Sequence, residues 1–478
     1  MKKENNDMTL QLKARLFAAA LIAVVLGSSS AWGVACVKPE QQPVTQALID
    51  LVNSDATLQH ALQASIDMGQ RINRDPRSNP VASLDAYYHL IDALVTYDPQ
   101  NLQTGLERGG LRISMDGKNY CNWNILDLLS YSYFLVDRQL TTDPRGQIQF
   151  KNKAFSEWMR SVAEAWGQYL ETPASAKYVP SFERDPTYGQ WFCPRPEKPY
   201  PSFQAFFTRE LCAQTFPTGS RPVEGYNDPR TVVSIGDSNS MGTWPISAEG
   251  KLVTGYDTVS QSGRLIKGKL YSDLHEFIRG GPEETVIKGF GEINPHLFDR
   301  GTFTHQFLNV NNYHRLHLPV AGTLVFMRHI QAGVRMKSGW KPALSGNDVG
   351  YYDPQDTPDW QFGQTRLVLG IETPNHGIVI VAPMGMAQVS AIQLRHWVKL
   401  GVKADKGWEF ANFAFGGSDV VIMFEAKAQF TLTVPQMASE LPGAGVNYQP
   451  SLQGEKYGCF DNITDCDDRP VLPPVYPK

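Results

Sequence analysis

Seven prolines fall between residues 173 and 201: Pro173, Pro180, Pro186, Pro194, Pro196, Pro199 and Pro201. Proline lacks a backbone N–H and clashes with the preceding turn, so no long helix or central strand can cross this stretch. The chain is therefore expected to fold in two parts joined by an ordered connector. Before the prolines, apolar residues recur at helical spacing. Phe155, Trp158, Met159, Val162, Ala165, Trp166 and Leu170 form one stripe, and 44–68 and 125–140 read similarly. From residue 231 the pattern changes to short β-type runs at 231–234, 322–326, 377–381 and 420–424, punctuated by Gly, Pro, Asn and Asp. The expected fold class is α+β. A helical domain covers 40–172 and a connector covers 173–230, with a short helix over 203–211. A β-rich domain covers 231–435 and a C-terminal tail 436–478.

The amino terminus reads as an address. Lys2, Lys3, Lys13 and Arg15 precede the apolar run 16–26, and small residues follow as far as Cys36. Basic, apolar and small segments in that order make a secretory signal peptide, assigned to residues 1–35. Export to the periplasm or the medium is expected. An uncleaved anchor is the alternative, although the run is short for a membrane span. Export favours disulfides among Cys36, Cys121, Cys193, Cys212, Cys459 and Cys466. Cys459 and Cys466 form the plausible local pair, and the other pairings stay open. No two cysteines make a CxxC motif, which excludes zinc-ribbon and thioredoxin readings. The formal charge of −4 lacks the basic excess of a nucleic-acid protein. It also gives no support for docking on an anionic bilayer.

Three segments carry chemistry. Gly416-Gly417-Ser418-Asp419 comes just before a strong strand. Two glycines permit a strained backbone at the serine, though the pair also suits an ordinary turn. There is no GxSxG elbow to support a hydrolase. Tyr313-His314-Arg315-Leu316-His317 sets two histidines three apart. No third ligand stands at metal spacing, so acid–base work is favoured over a zinc hydrolase and no metal is expected. Asp237 follows the run at 231–234, where it could close a turn or orient a histidine.

Together these segments resemble the phosphatidylserine decarboxylase family of pyruvoyl enzymes. Phe206-Phe207-Thr208-Arg209-Glu210-Leu211 followed by Ser220-Arg221-Pro222-Val223 looks like the family's first motif. Asp237 falls where the family carries an aspartate. Tyr313 to His317, with Pro319 and Gly322-Thr323, is similar to its YHRxH-x-P-x-x-G-T signature. Gly416-Gly417-Ser418 is similar to its self-cleavage site. Lys267-Gly268 and Gly301-Thr302-Phe303 also fit.

The resemblance implies a self-processing enzyme. The Ser418 hydroxyl attacks the Gly417 carbonyl and turns the amide into an ester. β-Elimination then breaks the chain and leaves dehydroalanine, and hydrolysis with loss of ammonia leaves a pyruvoyl group heading residues 418–478. A serine needs a base for this. By resemblance the base is His317, paired with Asp237 in the manner of a triad. His314 lies near the substrate carboxylate or takes part in protonation. The pyruvoyl group derived from Ser418 is the implied cofactor, forming a Schiff base with the substrate amine while carbon dioxide leaves. The two cleaved chains stay associated, and a homo-oligomer stays open.

The helical domain and its Pro-rich exit resemble those of fungal decarboxylases of free aromatic amino acids, so a free L-amino acid is the expected substrate. Phosphatidylserine is the alternative, which would place the enzyme in phospholipid biosynthesis. A third possibility is an unprocessed, non-catalytic binding relative. It is motivated by Asp419, which stands where the family has a small hydroxyl residue and is expected beside the pyruvoyl group. Ile235-Gly236 departs from the family's Pro-Ala or Ala-Ala.

Overall fold

The apolar stripe of 155–170 does form a helix. Among the described residues, four helices build the amino-terminal part: α1 (Pro43–Ser54), α2 (Ala56–Ile72), α3 (Leu84–Leu94) and α4 (Lys153–Leu170). On α4 the residues Phe155, Trp158, Met159, Val162, Trp166 and Leu170 are buried. Its start is fixed by Asn152, whose side chain accepts from the Phe155 N–H and donates to Asp55 at 3.0 Å. The single pattern expected over 44–68 is two helices. Asp55 breaks it by accepting from the Thr57 and Leu58 N–H groups at 3.0 Å each, an N-cap for α2. This computed structural model describes residues 40–72, 81–99, 148, 152–185, 188, 199–252, 274–282, 284–308, 311–332, 337–342, 352–357, 365–386, 391–415, 417–435 and 451–475. The expected signal peptide, the pattern at 125–140, Lys267-Gly268, Cys36, Cys121, Cys193 and Gly416 lie outside the described residues.

The connector holds more helix than its prolines suggest. A 3-10 turn (Pro173–Tyr178) runs into α5 (Val179–Glu183), and α6 (Phe203–Phe207) follows. Pro173 and Pro180 sit in first turns, where a missing N–H has no helical partner to lose. The helix expected over 203–211 ends at Phe207. Phe203, Phe206 and Phe207 pack into the core of the helical domain with Trp166 and Phe415.

The β-rich part centres on one mixed-length, antiparallel sheet of eight strands. In chain order these are β1 (Asn239–Pro245), β2 (Thr285–Phe290), β3 (Thr302–Leu308), β5 (Gly322–Gln331), β6 (Arg366–Thr373), β7 (Gly377–Met386), β9 (Lys403–Ala404) and β11 (Gly417–Phe424). The order across the sheet is β9-β5-β6-β7-β11-β3-β1, with β2 also paired to β5. The short strands β4 (Arg315–His317), β8 (Ile392–Leu394) and β10 (Glu409–Phe413) form a second sheet in the order β8-β10-β4. Along β11, Val420, Ile422 and Phe424 enter one core while Val421 and Met423 enter the other. Strand β7 divides the same way: Val379 and Val381 against Ile380, Ala382 and Met384. Burial on both faces explains why these strands read as unbroken apolar runs.

Within the expected tail of 436–478, residues 451–475 are packed into the β-rich part. Lys456–Cys459 pairs with Thr231–Val233 and Thr431–Leu432. Cys459 and Cys466 are joined by a disulfide, with Cα atoms 5.9 Å apart. Residues 451–475 therefore belong to the β domain, and one of them, Gln453, reaches the site described next.

Candidate active site

The three sequence segments meet at one end of the large sheet. Ser418, the second residue of β11, is opposite Leu308 of β3 and Gly385 of β7. Gly236 lies against Leu308, and a Cβ built there would stand 3.5 Å from its side chain and 3.6 Å from the Arg315 carbonyl. Strand β4 is held to the aspartate segment by the His317 N–H, which donates to the Ile235 carbonyl at 2.7 Å. Leu308 is thus the common neighbour of the serine and aspartate segments, and β4 is held against the aspartate segment.

Ser418 is fully buried, and its hydroxyl has no hydrogen-bond partner among the described residues. A buried hydroxyl is costly to leave unpaired. The approach to it is anchored by the helical domain. The Phe415 N–H donates to Gln204 Oε1 at 2.9 Å. The Phe415 ring sits edge-on to Phe203, Phe207 and Trp166, with centroids 5.0 to 5.6 Å apart.

His317 is also fully buried. Its Nδ1 lies 2.7 Å from the Gly407 carbonyl oxygen. A carbonyl can only accept, so the proton is on Nδ1 and Nε2 carries the basic lone pair. Tyr313 places its hydroxyl 3.1 Å from that Nε2. Burial lowers the His317 pKa to about 4, with Glu409 and the Gly407 carbonyl opposing the shift. The imidazole is neutral at pH 7, the form a base needs.

The expected pairing of Asp237 with His317 is absent. Asp237 instead accepts two bonds from the Arg221 guanidinium, at 2.6 and 3.0 Å. It also accepts from the Gln453 N–H at 3.0 Å. Planar guanidinium and carboxylate match in two parallel bonds, which outcompetes a single bond to an imidazole. Arg221 in turn lies over the Tyr313 ring, 5.6 Å from its centroid. Asp237 therefore reaches His317 through Arg221 and Tyr313, which makes it a positioning residue in this arrangement.

His314 points elsewhere. Its ring stacks on Phe207 with centroids 4.0 Å apart. Burial, and then the nearby Arg209, lower its pKa to about 3. Both histidines are held neutral in the fold but have ordinary values near 6.5 when exposed. The unfolded chain thus binds more protons as pH drops below about 6.5, and stability falls from there down through about 4 and about 3. Urea midpoints measured from pH 7 to pH 4 are expected to drop, with each histidine contributing up to about 1.4 kcal/mol per pH unit. Replacing His314 by glutamine should flatten that slope. An unchanged slope would contradict the assignment.

Asp419 is not beside Ser418. Side chains alternate across a strand, so neighbours in β11 face opposite sides of the sheet. Asp419 shares its face with Val421 and Met423, and its Oδ1 lies 2.5 Å from His305 Nε2 of β3. Asp419→Asn is therefore expected to change self-cleavage by less than about tenfold, a small effect beside general-base loss, as read from precursor decay on denaturing gels. His305, Arg221, Tyr313 and Gln453 are site neighbours that sequence reasoning did not single out. Arg221 lies within a motif quoted above, but its partner is 16 residues away; Gln453 is 216 residues from Asp237.

Comparison with known proteins sets the chain beside decarboxylases. A family model described as phosphatidylserine decarboxylase matches residues 203–439, and a second with that description matches 42–198. The chain is 26% identical over 330 residues to decarboxylase iboD of Amanita muscaria, covering 62% of this chain and 84% of that one. It is 26% identical over 275 residues to phosphatidylserine decarboxylase proenzyme 2 of Komagataella phaffii, covering 56% of this chain but 23% of that longer one. It is 21% identical over 321 residues to the L-tryptophan decarboxylase of Psilocybe cubensis, covering 60% and 66%.

Proposed function

Because this chain belongs to the phosphatidylserine decarboxylase family and is a carboxy-lyase, we propose that it cleaves itself at Gly417–Ser418 and decarboxylates a free L-amino acid, aromatic ones first. Proteins of this family use a pyruvoyl group, which supplies an electron sink for loss of carbon dioxide from an amine substrate. In this reading Ser418 is its source. The observation that carries the proposal is the fully buried, unpartnered Ser418 hydroxyl directly after a glycine. A buried hydroxyl left without a partner calls for an explanation, and a nucleophile awaiting its reaction supplies one.

The chain's own residues do the rest. His317 Nε2 takes the serine proton. The Gly407 carbonyl keeps its tautomer, while Arg221 and Asp237 hold Tyr313 against it. The bond between Gln204 and Phe415 fixes the chain just ahead of β11. His314, neutral against Phe207, is suited to donate an N–H to the substrate carboxylate. After cleavage, residues 418–424 remain paired to β3 and β7 on both edges, which keeps the two chains together. Residues 1–35 act as the export signal.

The substrate class is supported by the long match to the L-tryptophan decarboxylase. A second reading, phosphatidylserine, is supported by the family description and the Komagataella relative. Among the described residues no helix is long and apolar enough to cross a membrane. The two readings separate in one assay of carbon dioxide release from the purified full chain. Turnover of free L-tryptophan, L-tyrosine or L-phenylalanine, with none on phosphatidylserine vesicles, is the expected result. Turnover of the vesicles alone would overturn the substrate assignment.

A further inference from the structure

A second constellation of chemistry lies at the far end of the β3–β11 pair. Helix α7 (Leu274–Arg279) carries His275, and a 3-10 turn (Pro295–Phe298) carries His296 just ahead of Asp299. His275 Nε2 lies 2.7 Å from one Asp299 oxygen. His296 Nδ1 lies 3.0 Å from the other. The two rings stand 4.1 Å apart between centroids. One ligand atom from each of the three residues lies within 4.8 Å of the others. We propose that His275, His296 and Asp299 bind a divalent transition metal ion, with zinc the best match.

The chemistry of the donors is the first argument. Two imidazoles and one carboxylate make an N2O set, which suits zinc far better than magnesium or calcium. Their spacing is the second. Zinc bonds of about 2.0–2.1 Å at tetrahedral angles put neighbouring ligand atoms about 3.3 Å apart. The two observed separations, each to a different Asp299 oxygen, need to open by a few tenths of an ångström, and the remaining separations, all within 4.8 Å, need the exposed His296 ring to adjust. The carboxylate also offsets part of the ion's charge.

The residues are held in place before any ion arrives. Leu274, Phe277 and Ile278 bury α7, and Pro295 and Phe298 bury the turn. The Asn294 side chain caps that turn by accepting from the His296 N–H. Gly250 backs His275 with φ of +69°, and a Cβ there would fall 2.3 Å from His275 Nε2. Only glycine leaves room for that ring. Meanwhile the His296 side chain is 60% exposed, so water can complete the coordination shell, as in zinc sites with three protein ligands.

The place in the fold assigns the role. Strand β3 begins at Thr302 opposite Phe424, whereas Ser418 is opposite Leu308. Six residues of strand separate them, about 20 Å. The ion would not touch the reacting atoms. It would tie α7 to the turn that launches β3, the strand that flanks the self-cleaving one.

The test uses the full chain with any affinity tag removed, stripped by chelator and titrated with zinc chloride. Tight binding of one zinc per chain is expected. His296→Ala, at an exposed position that leaves the core intact, should weaken it by roughly a hundredfold, as should Asp299→Asn. Cobalt(II) in place of zinc should give visible absorption bands that His296→Ala removes. Zinc should also raise the melting temperature of the wild type and not of the variant. Equal zinc binding by wild type and His296→Ala, or no tight binding by either, would overturn the site.

Discussion

Replacing His317 by glutamine is expected to slow self-cleavage by about 10²- to 10⁴-fold, the usual worth of a positioned general base. The Ser418 hydroxyl is a poor nucleophile until its proton is removed. His317 is neutral, with its Nε2 lone pair facing the Tyr313 hydroxyl and its tautomer set by the Gly407 carbonyl. Glutamine can still donate to Gly407 and accept from Tyr313, so the fold should survive while the base is lost. Tyr313→Phe makes the matching control. It removes only the hydroxyl that shares Nε2, and cleavage should stay within about tenfold of wild type by the same scale. The half-time of precursor decay after pulse labelling measures both. Wild-type cleavage by His317→Gln would mean that another group is the base.

The second large effect concerns stability. Asp237 and Arg221 form a buried bidentate pair, the aspartate 1% and the arginine 6% exposed. Removing one partner strands a buried charge and costs about 3–5 kcal/mol. Asp237→Asn should therefore lower stability by about that much. Replacing both, by Arg221→Met with Asp237→Leu, should cost clearly less than the sum of the singles, because no charge is left unpaired. Urea unfolding in a Ser418→Ala background keeps cleavage out of the comparison. Additive losses would contradict a direct coupling of the two charges. The same residue separates two mechanisms. If Asp237 acts only through Arg221 and Tyr313, Asp237→Asn slows cleavage less than His317→Gln does. Equal losses would restore a direct triad.

Much of the fold was legible because its signals are local. The stripe on α4 repeats every three or four residues, and the runs in β7 and β11 are apolar throughout because both faces are buried. The break at Asp55 was also local, an aspartate placed to cap α2, yet the apolar pattern on either side hid it. The face of Asp419 is set by strand periodicity, which the expectation of Asp419 beside the pyruvoyl group overlooked. Ser418 and Asp419 are adjacent in one strand, so they cannot share a side of the sheet. The partners of the site residues were not legible. Whether Asp237 meets His317 or Arg221 depends on how the connector, β1 and the last residues of the chain come together. No spacing within any single segment encodes that. The same holds for His305 against Asp419 and for His275 against Asp299, which are joined only by tertiary packing.

The account stands or falls on the bond between Gly417 and Ser418. The most direct measurement is the intact mass of the purified full chain beside a Ser418→Ala variant, with borohydride trapping of an added amine. Two masses are predicted for the wild type, split between residues 417 and 418, with the smaller chain blocked at its amino terminus and tagged by the amine. The variant should give one mass and no tag. A single uncleaved wild-type chain, matching the variant but for one oxygen atom, would contradict the self-cleaving decarboxylase and leave a fold kept for binding.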